Sequence, residues 1–279
     1  MTIQPHIDKL GVIAGSGELP SVLIDACDKQ GIKLFIVGFD GQTSPTIFKD
    51  HPHLMSRIGE AGSIIGTLQS HDVHDIVMIG AIQKPSLQDL KPDLRTARFF
   101  AKLALKSMGD NSLLTALRQE LEAEGFKIHG AHKFVTDILA ELGTIGKHRP
   151  KKQDLENIKM GFEISQTIGK LDIGQSVVVQ NGYVLGVEAI EGTDALITRC
   201  GALKRGGRGP ILIKSCKPQQ DMALDLPTIG RNTAQLCAEN GYAGMAIHAG
   251  HTLLAQRKDV LGIADKHKMF VWGASHSNE

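Results

Sequence analysis

Short apolar runs alternate with amphipathic stretches over the first hundred residues. Leu10-Gly-Val-Ile-Ala14 is a buried-strand pattern that ends in Gly15-Ser16-Gly17. The stretch from Leu19 to Gln30 is amphipathic with helical spacing, and a second apolar run, Leu34 to Val37, follows it. Ile76-Val-Met-Ile-Gly80 is a third strand pattern, again closed by glycine. Strand, glycine turn, helix and strand again predicts a parallel sheet wrapped by helices. Asn111 to Gly125 predicts a helix, because Leu113, Leu114, Leu117 and Leu121 share a stripe while Glu120, Glu122 and Glu124 lie outside it. Asp110 or Ser112 is suited to cap its start. Gly125-Phe-Lys-Ile-His-Gly130 reads as the last strand of this first unit.

From about Asp172 the pattern changes to short β-branched runs separated by glycine. These are Ser176 to Val179, Tyr183 to Val187, Ile211 to Ile213 and Met245 to Ile247, with helical patterns at Asp154 to Ile168 and Thr228 to Glu239. Asn181-Gly182, between two of the runs, is a hairpin signal. Gly143 to Gln153 is a plausible junction, but the strand ending at Gly130 moves the boundary toward 135. The chain therefore reads as α/β, with a parallel-sheet domain at 1–135 and a mixed α/β domain at 136–279.

Composition narrows this further. The 279 residues leave room for two ordinary domains, and 42% hydrophobic with 22% charged residues is ordinary globular usage. Lys plus Arg number 31 against 30 Asp plus Glu, so no basic excess points to nucleic acid. Cys27, Cys200, Cys216 and Cys237 are scattered, which argues for a reducing compartment rather than a disulfide framework or zinc knuckle. No apolar run approaches the ~18–20 residues that would span a bilayer. The N-terminus lacks the basic start and apolar core of a signal peptide. The expectation is a cytoplasmic protein that at most rests on a membrane.

Candidate chemistry begins at Gly15-Ser-Gly17-Glu-Leu-Pro20, where a strand hands over to a helix. Unpaired backbone N–H groups and the helix dipole favour a phosphate there, and glycine lets it approach the chain. The turn is similar to the dinucleotide fingerprint, with Asp40 about twenty residues on as a ribose partner, although Pro20 replaces the third glycine. A tight turn with no ligand is the plain alternative.

The second half holds two charged clusters. Glu188-Ala-Ile-Glu191-Gly-Thr193-Asp194 offers three carboxylates and a hydroxyl, which converge only if the glycine turns the chain. Lys214-Ser-Cys-Lys217 leads through Pro218 to Asp221, Asp225 and Pro227-Thr228, a loop because proline removes a donor and restrains its predecessor. In an extended loop Asp221 and Asp225 would lie roughly 13 Å apart, so only a curled one brings both to a hard metal ion. Phosphoryl transfer fits this set: lysines neutralise phosphate oxygens, carboxylates hold Mg²⁺ or Mn²⁺, and one carboxylate orients water. Solvated surface charge is the competing reading. The histidine pairs His71/His74, His129/His132 and His248/His251 have no partner at a recognised metal spacing.

Several segments together resemble one family. They are Gly11 to Pro20, Lys84-Pro-Ser86, Gly109-Asp-Asn-Ser-Leu-Leu114, Gly130-Ala-His132, Asp172 to Val179, Val187 to Asp194, and Lys217-Pro-Gln-Gln-Asp221 running into Asp225-Leu-Pro-Thr-Ile-Gly230. In this order, over nearly the whole chain, the set resembles the LpxI-type UDP-2,3-diacylglucosamine pyrophosphatases of lipid A biosynthesis. The resemblance implies a Mg²⁺-dependent hydrolase, with Mn²⁺ as the alternative ion. It would cleave the pyrophosphate of UDP-2,3-diacylglucosamine to UMP and 2,3-diacylglucosamine 1-phosphate. It also implies two domains with the substrate between them, the first Rossmann-like.

By position in the family segment, Asp225 is the expected essential residue, holding the metal or positioning the water, with Asp221 as its partner. Gly15, Ser16 and Gly17 would cradle the nucleotide, and Lys84, Asp110, Asn111 and Ser112 would line the cleft. Glu188, Glu191, Thr193, Asp194, Lys214, Lys217 and Thr228 complete the expected substrate-binding set. The partners implied are the lipid-linked nucleotide and, transiently, the inner-membrane surface, with a homodimer left open. Two acyl chains need an apolar groove, for which Phe99, Phe100, Leu103, Leu105 and Met108 are candidates, although the two phenylalanines also suit ordinary core. The sequence departs from the family at Ala223, where an arginine is expected, so charge compensation must come from elsewhere, and at His251. Two other classes compete: an NAD-linked oxidoreductase resting on Gly15, Gly17 and Asp40, and a non-catalytic nucleotide-sugar-binding protein.

Overall fold

The computed structural model describes residues 7–48, 50–82, 91–104, 110–135, 138–224 and 226–275, with the side chains of 102–104 and 110–114 outside that description. The chain divides into two units, Met1–Thr136 with Asp221–Asp225, and Asp137–Gln220 with Leu226–Glu279.

The first unit runs β1 (Lys9–Ala14), α1 (Leu19–Lys29), β2 (Lys33–Phe39), β3 (His53–Ser56), α2 (Ala61–Ser70), β4 (Asp75–Ile79), α3 (Leu94–Ala104), α4 (Asp110–Ala123) and β5 (Lys127–His129). All five strands are parallel, in the order β3-β2-β1-β4-β5. This is the doubly wound order in which the chain reverses direction beside the central first strand. Five of the six residues of β1 are buried, as a strand covered on both faces requires. The unit's core joins Ile13, Phe35 and Val37 of the sheet to Ile64, Ile65 and Leu68 of α2 and Leu121 of α4. The parallel sheet expected of the first half is present.

The second unit runs β6 (Gly143–Thr144), α5 (Lys152–Lys170), β7 (Ser176–Gln180), β8 (Tyr183–Val187), α6 (Gly192–Ala202), β9 (Ile211–Lys214), β10 (Thr228–Ile229), α7 (Arg231–Glu239), β11 (Gly244–His248), β12 (Leu253–Leu254), α8 (Arg257–Lys266) and β13 (Phe270–Ala274). Its main sheet is mixed, in the order β6-β13-β11-β9-β7-β8, with β9, β11 and β13 parallel and β6, β7 and β8 antiparallel to their neighbours. The period of two along a strand sorts its residues between the faces. Val177, Val179, Ile211 and Ile213 pack with Ile158 and Phe162 of α5. Val178, Leu212, Met245 and Ile247 pack with Leu196 of α6, Cys237 of α7 and Val260 of α8.

Local chemistry explains two connections. Asn181 and Gly182 both have positive φ, 51° and 79°, as a two-residue hairpin turn between β7 and β8 demands. The helix expected from Thr228 begins instead at Arg231, because Thr228 and Ile229 pair with Leu253 and Leu254 as a short parallel ladder. Among the described residues no helix is long and apolar enough to cross a membrane.

Candidate functional site

At the glycine turn of the first unit, the Gly15 N–H donates to Ile79 O (2.8 Å) and the Ser16 N–H to Ala81 O (2.8 Å). The Ser16 hydroxyl donates to the same Ala81 carbonyl at 2.8 Å. A Cβ on Gly15 would stand 2.5 Å from Ala81 O, so this glycine is required by the crossing of two backbones. Gly17 has φ of 93°, a conformation that favours glycine. Beyond it α1 opens with Pro20 in its first turn, where a missing N–H costs nothing, and Glu18 at the N-cap makes no side-chain cap bond. The orphan N–H groups of the first turn face away from any carbonyl of their own helix. Asp40, exposed just after β2, gives its N–H to Ser56 O at 3.0 Å.

In the second unit the strand directions gather polar residues at one edge of the sheet. Ser176 opens β7 and is the register partner of Lys214, which closes β9, while Glu188 follows the end of β8. This is the carboxyl end of the parallel strands, where doubly wound folds place ligands. Glu188 is 7% exposed and Lys214 8%, so both need internal partners. Thr193 supplies one to each: its hydroxyl donates to Glu188 Oε1 (2.6 Å) and accepts from Lys214 Nζ (3.2 Å). Ser176 Oγ lies 3.3 Å from the same oxygen, which uses the one donor and two acceptor sites a hydroxyl has. Lys214 Nζ also donates to the Thr228 carbonyl (3.1 Å), and Glu188 Oε2 accepts the Gln175 N–H (3.1 Å). Beside this network the buried Gln175 side-chain oxygen has no hydrogen-bond partner among the described residues.

The other charged candidates do not converge on it. Gly192, with φ of 79°, turns the chain into α6 and separates the three carboxylates. Glu191 pairs with Arg199 (2.8 Å), which holds its carboxyl below the usual range, and Asp194 accepts from Asn232 of α7 (2.8 Å). Lys217 Nζ is paired with Asp172 at 2.6 Å.

Asp221 lies in the segment that belongs to the first unit. Its Oδ2 faces the Arg118 guanidinium of α4, and its Oδ1 accepts the Ala223 N–H at 2.9 Å. Arg118 thus supplies the positive charge that the sequence lacks at Ala223. The resemblance implies a divalent cation here, toward which Asp221 offers oxygen donors, one of them already facing Arg118. Its oxygens are hard ligands of the kind Mg²⁺ takes, and each keeps an acceptor site beyond the bond described. Among the described residues no group of three or more His, Cys, Asp or Glu side chains gathers as a metal site. Asp225 and Lys84 lie outside the described residues, as do the side chains of Asp110, Asn111 and Ser112 at the start of α4. Of the groove candidates, Phe99 and Phe100 are half-buried with ring centroids 5.6 Å apart, and the side chains of Leu103, Leu105 and Met108 lie outside the description.

The histidine pairs take up separate roles. His129 bonds Asp75 (2.6 Å), His71 bonds the Thr67 carbonyl (2.9 Å), and His248 stacks on His251 with centroids 4.3 Å apart. Ser176, Asn232 and Arg118 were not among the residues expected at a site. Only Ser176 carried a local signal, as the polar residue opening an otherwise apolar strand.

The fold and its polar edge define a two-unit α/β protein of the doubly wound type. Residues 9–138 match the model of the LpxI N-terminal domain and residues 141–272 that of the LpxI C-terminal domain. The chain is 35% identical over 272 residues to the UDP-2,3-diacylglucosamine pyrophosphatase LpxI of Caulobacter vibrioides, covering 95% of this chain and 97% of that one. It belongs to the LpxI family. Similar solved structures include the UDP-glucose 4-epimerase of Thermus thermophilus in complex with NAD (13% identity, TM-score 0.32, 96% and 86% of the two chains). Another is the biotin carboxylase domain of Hydrogenobacter thermophilus 2-oxoglutarate carboxylase with MgADP, ADP and bicarbonate (12% identity, TM-score 0.26, 64% and 36%). Likeness at this level has no bearing on function.

Proposed function

We propose that this chain hydrolyses the pyrophosphate of UDP-2,3-diacylglucosamine, releasing UMP and 2,3-diacylglucosamine 1-phosphate in lipid A biosynthesis. The observation that carries the reading is the match of both LpxI domains along the chain, with 35% identity to a protein of that activity over 95% of its length. Water adds to one phosphorus, the bond from that phosphorus to the bridging oxygen breaks, and the other phosphate leaves with the bridging oxygen. The water's oxygen stays on the attacked phosphate while its protons pass to the products or to solvent. The family membership favours neither the oxidoreductase nor the non-catalytic reading.

Lys214 is the cation we assign to the phosphates, since it sits at the carboxyl edge of the sheet and is held by the oxygens of Thr193 and Thr228. Lys217 is already neutralised by Asp172 and contributes less. Glu188 fixes the Thr193 hydroxyl, whose proton it accepts, and so fixes Lys214. Asp225 is assigned to water activation, with Asp221 as its partner. Bound Mg²⁺ or Mn²⁺, held by these two aspartates, would supply charge neutralisation at the phosphate oxygens and a more acidic water. The nucleotide phosphate is assigned to the glycine turn Gly15, Ser16 and Gly17 together with the first turn of α1 that follows it. The Gly15 and Ser16 N–H groups are spent on Ile79 O and Ala81 O, so the donors come from the helix start. Collecting a diacyl substrate calls for transient contact with the cytoplasmic face of the inner membrane.

The reading is tested by product analysis. Purified protein with Mg²⁺ and UDP-2,3-diacylglucosamine should give UMP and the diacyl sugar 1-phosphate in equal amounts. Binding of the substrate with no phosphate product under any divalent ion would favour a carrier instead.

A further inference from the structure

The described residues Asp221–Leu224 are fastened to the rest of the first unit at three points. Leu224 packs against the core that contains Leu121 and Phe126. The Met222 carbonyl passes so close to Gly130 that a Cβ there would stand 2.9 Å away. Arg118, flanked on α4 by the core-facing Leu117, donates from Nη1 to Asp221 Oδ2. The two contacts other than Arg118 set how deep the segment sits. Among the described residues Arg118 is the side chain that fixes the direction of the Asp221 carboxylate, because a guanidinium imposes planar, directional bonds. The carboxylate in turn caps the turn, since Asp221 Oδ1 accepts the Ala223 N–H (2.9 Å), and the turn itself is closed by the Asp221 backbone carbonyl, which accepts the Leu224 N–H (3.0 Å). Arg118 is itself braced by Glu122, whose Oε1 accepts from its Nε at 2.7 Å. Glu122 first and Asp221 second hold the guanidinium above its ordinary pKa.

We propose that Arg118 is the positioning residue for the Asp221–Leu224 turn, orienting the Asp221 carboxylate and through it the turn. This rests on the hydrolase reading. It differs from a surface ion pair, whose loss would leave turnover alone. A group that aims the acidic segment governs kcat while substrate binding persists.

The experiment compares kcat, KM and melting temperature for UMP release by wild type, Arg118→Ala, Arg118→Lys, Asp221→Asn and the Arg118→Ala/Asp221→Asn double variant. Arg118→Ala should lower kcat about tenfold or more with KM within about twofold, and Arg118→Lys should recover part of the loss. The double variant should match Asp221→Asn, because Arg118 acts only through that carboxylate. Unchanged kcat in Arg118→Ala, or additive losses in the double variant, would overturn the proposal. If wild type releases no UMP, the hydrolase reading fails on its own. The positioning claim is then decided by amide exchange at Ala223 and Leu224. About tenfold faster exchange in Arg118→Ala supports it, and unchanged exchange overturns it.

Discussion

Replacing Thr193 by Val keeps the shape of the side chain and removes the hydroxyl on which the buried network turns. That hydroxyl gives its proton to Glu188 at 2.6 Å and receives one from Lys214 at 3.2 Å. Both charged residues are less than a tenth exposed, so water does not replace the lost partner. A hydrogen bond to a charged group is worth ~1.5–3 kcal/mol net, and the carboxylate loses its shorter bond outright. The expected destabilisation is therefore ~2–3 kcal/mol, or a fall in melting temperature of ~4–12 °C at ~2–4 °C per kcal/mol for a chain of this size. Thr193→Ser retains the oxygen and should lose less than half as much. Thermal melts followed by circular dichroism read both variants. A Thr193→Val protein that melts within about 1 °C of wild type, or a serine variant as damaged as the valine one, would refute the network as described. With Lys214 released from its hold, kcat/KM for the diacyl substrate should also drop about tenfold.

Two further outcomes follow from other parts of the molecule. Gly15→Ala places a methyl group 2.5 Å from the Ala81 carbonyl and should cost ~1–3 kcal/mol in a denaturant melt, whether or not a nucleotide binds at the turn. Glu60 is hydrogen-bonded by Arg57, which lowers its pKa from 4.5 to about 2, so the stabilisation is complete above 4.5 and is lost as pH falls through about 2. An NMR titration of the Glu60 carboxyl should find it ionised at pH 3.5, and Glu60→Gln should flatten the acid limb of the stability curve.

Much of the architecture was legible because burial writes itself into local pattern. The runs at Leu10, Leu34 and Ile76 became β1, β2 and β4, since a strand covered on both faces is continuously apolar. Asn181-Gly182 announced its hairpin through a backbone conformation that few other residues adopt. What escaped was short or depended on distant partners. β3 has only four residues and includes His53 and Ser56, while β10 and β12 have two residues each and exist through mutual pairing. α6 was hidden because its start overlaps an acidic cluster that resembles a loop. The site candidates divide in the same way. Glu188, Thr193, Lys214 and Thr228 come together because three strand ends meet at one sheet edge. Glu191 and Asp194, adjacent in sequence, are drawn off by Arg199 and Asn232. The partner of Asp221, Arg118, is 103 residues away and has no local signature.

Metal-assisted hydrolysis that depends on Asp225 is the proposal from which the other assignments at the site follow. The most direct measurement is UMP release from UDP-2,3-diacylglucosamine by wild type and Asp225→Ala, each with Mg²⁺ and with chelator, alongside equilibrium binding of the substrate. Release should require the ion and collapse in the variant, while the substrate still binds. Release that survives the chelator, or Asp225→Ala turning over at the wild-type rate, would contradict that proposal.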